Sequence, residues 1–364
     1  MQKKKGKNTM NKRILSALLA VFLLLFTFTS CDVSQFFGDV WSTTTQETTE
    51  ATTLPQVTTT QPQETTTPED IDLPTPEAGS YFEAHFIDVG QADSILVICD
   101  GQAMLIDGGN AADATLVRSY LQQHNVTHLE YVIGTHPHED HIGGLTNVMR
   151  YIKPDKVYCS ANNTSVYETS AFRNFVYYVN NNLRQELVVP TVGETFLLGS
   201  AKVTVVGPLR FDYEDINNTS IVLRVEYGEL SFLFTGDMEG VAELELIKKG
   251  INLKADVLKV GHHGSGSSTY YQFLDAVSPT YGVISCGRDN EYGHPHSGPL
   301  SRLRDADVQL YRTDLQGHIV CRTDDGKNLT FTTQMNPDAI TNPTALEGDT
   351  SYLPTFLYYE EKFD

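Results

Sequence analysis

The chain has 364 residues, 40% of them hydrophobic and 20% charged, with a formal net charge of −20. Its length alone allows two or three domains. From Tyr81 onward, 20 basic against 37 acidic side chains leave −17, which excludes a fold-wide surface for polyanions. A nucleic-acid substrate would need a local basic strip or bound cations to offset that field.

The chain opens with a targeting pattern. Residues 3–13 are basic, and residues 14–28 are apolar apart from Ser16 and Thr27, which is the order of a secretory signal. The apolar run is short for a membrane span. It ends in Phe28-Thr29-Ser30-Cys31, similar to the cleavage box of bacterial lipoproteins. The expectation is a signal peptide over 1–30 and a lipid anchor at Cys31 on the outer face of the cytoplasmic membrane, where two or more acyl chains hold stably. Residues 31–80 are rich in Thr, Gln, Glu and Pro and contain little to bury. They read as a disordered linker that cannot offset its own ordering entropy.

The patterned part runs over 81–335 and is large enough to bury a core without disulfides. Strands are predicted over 82–87, 94–99 and 103–106, the last two joined by a tight Asp100-Gly101 turn. A helix over 113–123 leads into a strand over 131–134. There follow a helix over 166–182 and strands at 187–189, 195–198, 202–206, 220–227 and 230–235. The remainder alternates: helix 239–249, strand 256–260, helix 269–276, strand 281–286, helix 298–305, strand 308–312 and a hairpin near 317–333. Interleaved strands and helices mean an α/β (α+β) layered fold. The tail, 336–364, is weakly patterned. Cys99, Cys159, Cys286 and Cys321 match no zinc spacing, and the predicted strands make them buried free thiols.

One stretch concentrates chemistry. Thr135-His136-Pro137-His138-Glu139-Asp140-His141-Ile142-Gly143-Gly144 lies between a predicted strand and a helix. Imidazole and carboxylate both suit zinc, and a strand-end loop points alternate side chains into one cavity. His136 and His138 would serve one ion while Asp140 and His141 face a second.

This run resembles the signature of the metallo-β-lactamase superfamily. The resemblance covers 81–333 and implies an αββα sandwich with two divalent ions, Zn²⁺ or Mn²⁺, at one rim of the sheets. It assigns Asp107, in Asp107-Gly108-Gly109, to supporting the ligands from behind, and Asp237 to bridging the metals. The chain is further similar to the hydrolase domain of ComEC/Rec2-type competence proteins and their free-standing secreted relatives. The carriers are Phe86-Ile87-Asp88-Val89-Gly90-Gln91-Ala92-Asp93-Ser94, Asn217-Asn218-Thr219-Ser220-Ile221-Val222-Leu223, Leu258-Lys259-Val260-Gly261-His262-His263-Gly264-Ser265 and Tyr292-Gly293-His294-Pro295. Ala92 stands where the pattern has Gly.

No histidine lies between His141 and Asp237, where many members of the superfamily supply a third ligand. His262 and His263 are the replacements, one of them binding metal while the other contacts substrate. His294 is expected as the last ligand of the second ion, and Asp88 and Asn218 as supports behind the ligands. His85, His124, His128 and His318 have no motif around them.

The implied reaction is phosphodiester hydrolysis outside the cell, with Asp140 orienting the nucleophile and His262 or His263 stabilising charge on the phosphate. The resemblance implies DNA, a nucleotide or a phosphorylcholine ester as substrate. A carbonyl ester or amide hydrolase and a non-catalytic surface-binding module are the other readings. Nothing in the sequence specifies a protein partner.

Overall fold

Apolar residues recur along most of the chain in runs of four to seven, short enough for strands and rich in the β-branched and aromatic types that fit a pleated surface. In the computed structural model, which describes residues 71–342 apart from Val166, they become two sheets. The first contains β1 (Phe82–Phe86), β2 (Ile95–Cys99), β3 (Gln102–Ile106), β4 (Leu129–Gly134), β5 (Pro154–Cys159) and β6 (Leu187–Val188). The second contains β7 (Thr195–Leu198), β8 (Ala201–Gly207), β9 (Val222–Tyr227), β10 (Leu230–Phe234), β11 (Val257–Lys259), β12 (Tyr281–Ile284) and β13 (Gln309–Arg312). The chain then returns to the first sheet as β14 (Ile319–Thr323) and β15 (Thr330–Thr333), giving the spatial orders β15-β14-β1-β2-β3-β4-β5-β6 and β13-β12-β11-β10-β9-β8-β7.

The helices cover the outer faces. On the first sheet lie α1 (Ala114–Gln123), α2 (Glu139–Ile142), α3 (Leu145–Tyr151) and α4 (Ser170–Tyr177). On the second lie α5 (Gly240–Lys249), α6 (Tyr271–Val277) and α7 (Ser297–Asp305), with a short α8 (Thr313–Gln316) behind β13. Three apolar clusters follow from this layering. One sits between the sheets around Phe82, Phe86, Phe232 and Phe234. A second joins the first sheet to its helices through Leu121, Leu145, Met149 and Phe175. The third joins β10 to β12 to their helices through Leu246, Phe273 and Leu303. The result is the expected αββα sandwich.

Parallel pairing decides where chemistry collects. Strands β3, β4 and β5 run parallel in one sheet, and β10, β11, β12 and β13 run parallel in the other. The carboxyl ends of parallel strands share an edge, so the loops that leave β3, β4, β10, β11 and β12 meet at one rim.

The structure departs from the sequence reading in four places. Strand β5 was not expected, because Pro154-Asp155-Lys156 reads as a turn; only Val157, Tyr158 and Cys159 are buried there, beside β4. The helix expected over 166–182 starts at Ser170, where Thr169 caps it by accepting the Phe172 N–H, and after Tyr177 it widens into a π-type turn over Tyr178–Leu183. The strand expected from 220 begins at Val222 and follows a tight 3-10 turn over Ile216–Thr219. The domain also extends past 335: the Thr341 hydroxyl donates to the Leu310 carbonyl at 2.7 Å, and Arg312 donates to the Thr341 carbonyl at 3.2 Å.

The Asp100-Gly101 turn has the expected form, with φ of 52° and 82°, both on the side that a tight two-residue hairpin requires. All four cysteines of the domain are buried and free. The signal segment, Cys31, the linker up to residue 70 and the tail beyond 342 lie outside the described residues. No helix among the described residues is long and apolar enough to cross a membrane.

Candidate metal centre

Four loops build the centre. The turn after β3 brings Asp107, the loop after β4 brings His136 to His141, the turn after β10 brings Asp237, and the loop after β11 brings His262 and His263. In the last of these the backbone takes left-handed values at His262 (φ 48°), His263 (φ 52°) and Gly264 (φ 80°). Two consecutive non-glycine residues in that region are strained, and the strain turns the two imidazoles in different directions.

Asp140, His141, Asp237 and His263 each offer a donor atom, and the four atoms lie within 4.8 Å of one another. His141 Nε2 is 3.2 Å from Asp237 Oδ2 and 3.6 Å from Asp140 Oδ2; His263 Nε2 is 3.4 Å and 3.3 Å from the same oxygens. His141 Nε2 and Asp237 Oδ1 are nevertheless buried without a hydrogen bond. Buried polar atoms are nearly always satisfied, so donors converging in this way fit a divalent cation in both number and type. His136 and His138 adjoin the group: their rings meet at Nε2 and Nδ1, 2.8 Å apart, and the His136 ring centroid is 4.2 Å from that of His141.

The electrostatics are those of a ligand set. Burial, reinforced by neighbouring His141, lowers the pKa of His136 well below the usual imidazole range, and burial also lowers that of His138. Both therefore present a neutral lone pair, the form that binds metal. Burial would raise the pKa of Asp237, yet His263 and His141 overcome that cost and hold its carboxyl well below the usual range.

Behind the ligands stands a layer of fixed partners. Asp107 accepts from the backbone N–H and the hydroxyl of Thr135, each at 2.8 Å, and lies 2.8 Å from His141 Nδ1. His263 Nδ1 lies 2.9 Å from the Ser285 carbonyl and 3.3 Å from Asp93 Oδ1. Asp93 is itself paired at 2.8 Å with Lys259, both side chains fully buried. Asn218 accepts from the N–H groups of Glu239 and Ala242 and donates to Glu239 Oε2. Glu239 Oε1 is 3.1 Å from His262 Nδ1 and accepts from Ser267 at 2.6 Å.

The structure thus divides the histidine pair. His263 joins the ligand cluster, whereas His262 is held by Glu239 with its Nε2 3.8 Å from Asp237. His294 lies nearby, 5.6 Å from His262 and 6.4 Å from His263 between ring centroids, but it is outside the four-donor group and its Nδ1 contacts Gln91 at 3.1 Å. Asp88, expected behind the ligands, is placed elsewhere: its carboxylate accepts from the Gly90 N–H, and its own N–H donates to His318. Asp93, five residues later in the same motif, takes that position. Glu239 and Lys259 were not anticipated. Lys259 sat in a quoted motif, but a lysine in an apolar strand carries no ligand signal of its own, and nothing in the local pattern marked Glu239.

Residues 87–288 match the profile of the Metallo-beta-lactamase superfamily. The chain belongs to that superfamily. Among its relatives is ComE operon protein 3 of Bacillus subtilis, 30% identical over 66% of this chain and 33% of that protein. Another is competence protein ComA of Neisseria gonorrhoeae, 34% identical over 63% of this chain and 30% of that protein. The chain therefore matches about a third of the length of these relatives. Among solved metallo-β-lactamase folds, CmlA, a diiron β-hydroxylase from Streptomyces venezuelae, aligns with a TM-score of 0.45 at 16% identity, covering 69% of this chain and 55% of that one.

Proposed function

We propose that this superfamily hydrolase cleaves phosphodiesters with a pair of divalent cations, zinc or manganese, held by His136, His138, Asp140, His141, Asp237 and His263. The observation that carries the reading is the buried convergence of imidazoles and carboxylates whose donor atoms have no hydrogen-bond partner. Divalent ions held by such a set supply Lewis acidity toward phosphoryl oxygens and make water ionisable near neutral pH. The chain's own groups have distinct tasks. Asp107 orients His141, and Asp93 with the Ser285 carbonyl orients His263. Burial would lower the pKa of His262, but its hydrogen bond with Glu239 and the nearby Asp237 raise it. Held in that state, His262 can donate a hydrogen bond to a phosphoryl oxygen as charge develops there.

Likeness to competence proteins supports phosphate over carbonyl chemistry. The test incubates the purified domain with Mn²⁺ or Zn²⁺ and bis(p-nitrophenyl) phosphate. Turnover is expected, with loss in a His136→Ala/His138→Ala variant. Cleavage of a β-lactam or thioester with no turnover of the phosphodiester would reject the proposal.

The non-catalytic reading draws on one observation: among the described residues, the four-donor group does not include His136 or His138. Metal analysis separates the two, since a folded protein that retains no divalent ion at neutral pH would favour a binding module. We also place the domain outside the cell on a lipid anchor at Cys31. Palmitate labelling of wild type that persists in Cys31→Ala would contradict that placement.

A further inference from the structure

Two open clefts flank the loop that carries the histidines. The first has a volume of about 820 Å³ and runs from Glu139 and Tyr167 past Asn147 and Asn174 to Tyr177 and Asn182. The second, about 1400 Å³, runs from Pro137 and Tyr167 past Asn162 and Asn218 to Phe211 and Tyr213. Tyr167 lines both, and its ring stands edge-on to that of His138 with centroids 5.7 Å apart. The wall between the clefts is therefore the metal loop itself, with Pro137 on one side and Glu139 on the other.

Volume bears on the size of the substrate. A pocket for one small ligand spans roughly 300–1,000 Å³, so each cleft accepts at least one unit of a chain. A phosphodiester seated at the dividing loop would carry such a unit in both directions.

The lining bears on its chemistry. Tyr177 is 64% exposed and Phe211 39% exposed, giving two aromatic platforms far from the metal loop. Asparagine side chains stand between them and the loop, and an amide matches hydroxyl groups as both donor and acceptor. The wall of the first cleft also includes Tyr178 and Asn182, from the π-type turn over Tyr178–Leu183, a rare backbone form that recurs at functional sites.

Charge argues against nucleic acid. A single-strand groove combines aromatic platforms with a basic track along the phosphates. Here Arg150 and Arg210 are outnumbered by Glu139, Asp212, Glu214, Asp215 and Glu239. Arg210 is already paired with Asp212 at 2.9 Å and Glu245 at 3.0 Å.

We infer that the substrate is a polymer whose phosphodiesters join uncharged, polyhydroxylated units, laid across the metal loop through both clefts and cut internally. The inference rests on the phosphodiesterase reading above.

The test compares oligo(glycerol phosphate), single-stranded DNA with the same number of phosphates, and bis(p-nitrophenyl) phosphate. Wild type and the exposed-site variants Tyr177→Ala and Phe211→Ala are assayed side by side, with thermal melting to confirm that the variants fold. The expected results are internal cuts in the glycerol polymer, a preference for it over DNA, and a fall of tenfold or more in the polymer-to-small-substrate ratio of kcat/KM in each variant. Binding of the same oligomer to chelator-treated protein, read by calorimetry, should weaken in both variants without any turnover. Release of units from one end only, a preference for DNA, or variants that leave both the ratio and the binding unchanged would overturn the inference while sparing the phosphodiesterase reading. Wild type that turns over none of the three substrates would reject that reading and this inference with it.

Discussion

Lys259 is a full charge in an apolar strand, and its side chain is completely buried. It is tolerable there because Asp93 lies 2.8 Å away and the Val260 carbonyl accepts a second hydrogen bond at 2.8 Å. Removing one partner of such a pair strands the other and costs roughly 3–5 kcal/mol. Lys259→Met is accordingly expected to lower stability by about that amount, and Lys259→Met/Asp93→Asn to recover part of it. Urea unfolding of both variants checks this, and additive losses would show that the two side chains are not coupled.

Glu83 provides a pH-dependent contribution at the same scale. Its hydrogen bond to His85, working against the cost of burial and joined by Arg322, lowers its carboxyl from 4.5 to about 2. A carboxyl depressed in the folded state stabilises above its unfolded pKa, and that stability is lost as pH falls through the folded value. The stability gap between wild type and Glu83→Gln should therefore be full above pH 4.5 and narrow toward pH 2. A gap that stays constant over that window in urea titrations would refute the assignment.

At the scale of elements, the metal loop is placed by backbone packing as much as by side chains. Gly144, between α2 and α3, lies so close to the Gly108 carbonyl that a Cβ there would collide with it, and a Cβ on Gly108 would meet the Leu145 nitrogen at 2.9 Å. These glycines let the helix pair rest directly on the turn that carries Asp107, with the Gly108 N–H donating to the His141 carbonyl at 2.7 Å. Overpacking of a tight contact costs about 1–3 kcal/mol. Gly144→Ala is expected to lose that much stability and to weaken metal binding, because the Asp107–His141 contact must shift. Melting curves and metal titration measure the two effects, and unchanged values in both would contradict the packing argument. The same scale explains the missed strand β5: its polar start faces away from the core, and pairing with β4 rather than local composition makes it a strand.

For the whole molecule, the sign of the charge governs encounter. The domain from Tyr81 onward is acidic, and repulsion between like charges is screened within a Debye length of about 8–10 Å at physiological salt. For a polyanionic phosphodiester substrate, KM should fall as ionic strength rises. A protein with a basic track shows the reverse, because salt opposes counterion release. A KM that rises steeply with salt would point to a cationic surface that the clefts do not show.

The metal loop, the αββα class and the motif around Asp237 were all legible in the linear chain. A run of ligand-type residues after a strand has few other uses, and hydrophobic periodicity reports local burial directly. Partnership was not legible. Asp93 rather than Asp88 stands behind His263, Glu239 rather than a sequence neighbour holds His262, and His294 turns to Gln91. These outcomes depend on which strand ends share a rim and on the left-handed turn at His262 and His263. Local sequence specifies which donors are available, whereas parallel pairing of strands distant in the chain decides which donors face one another.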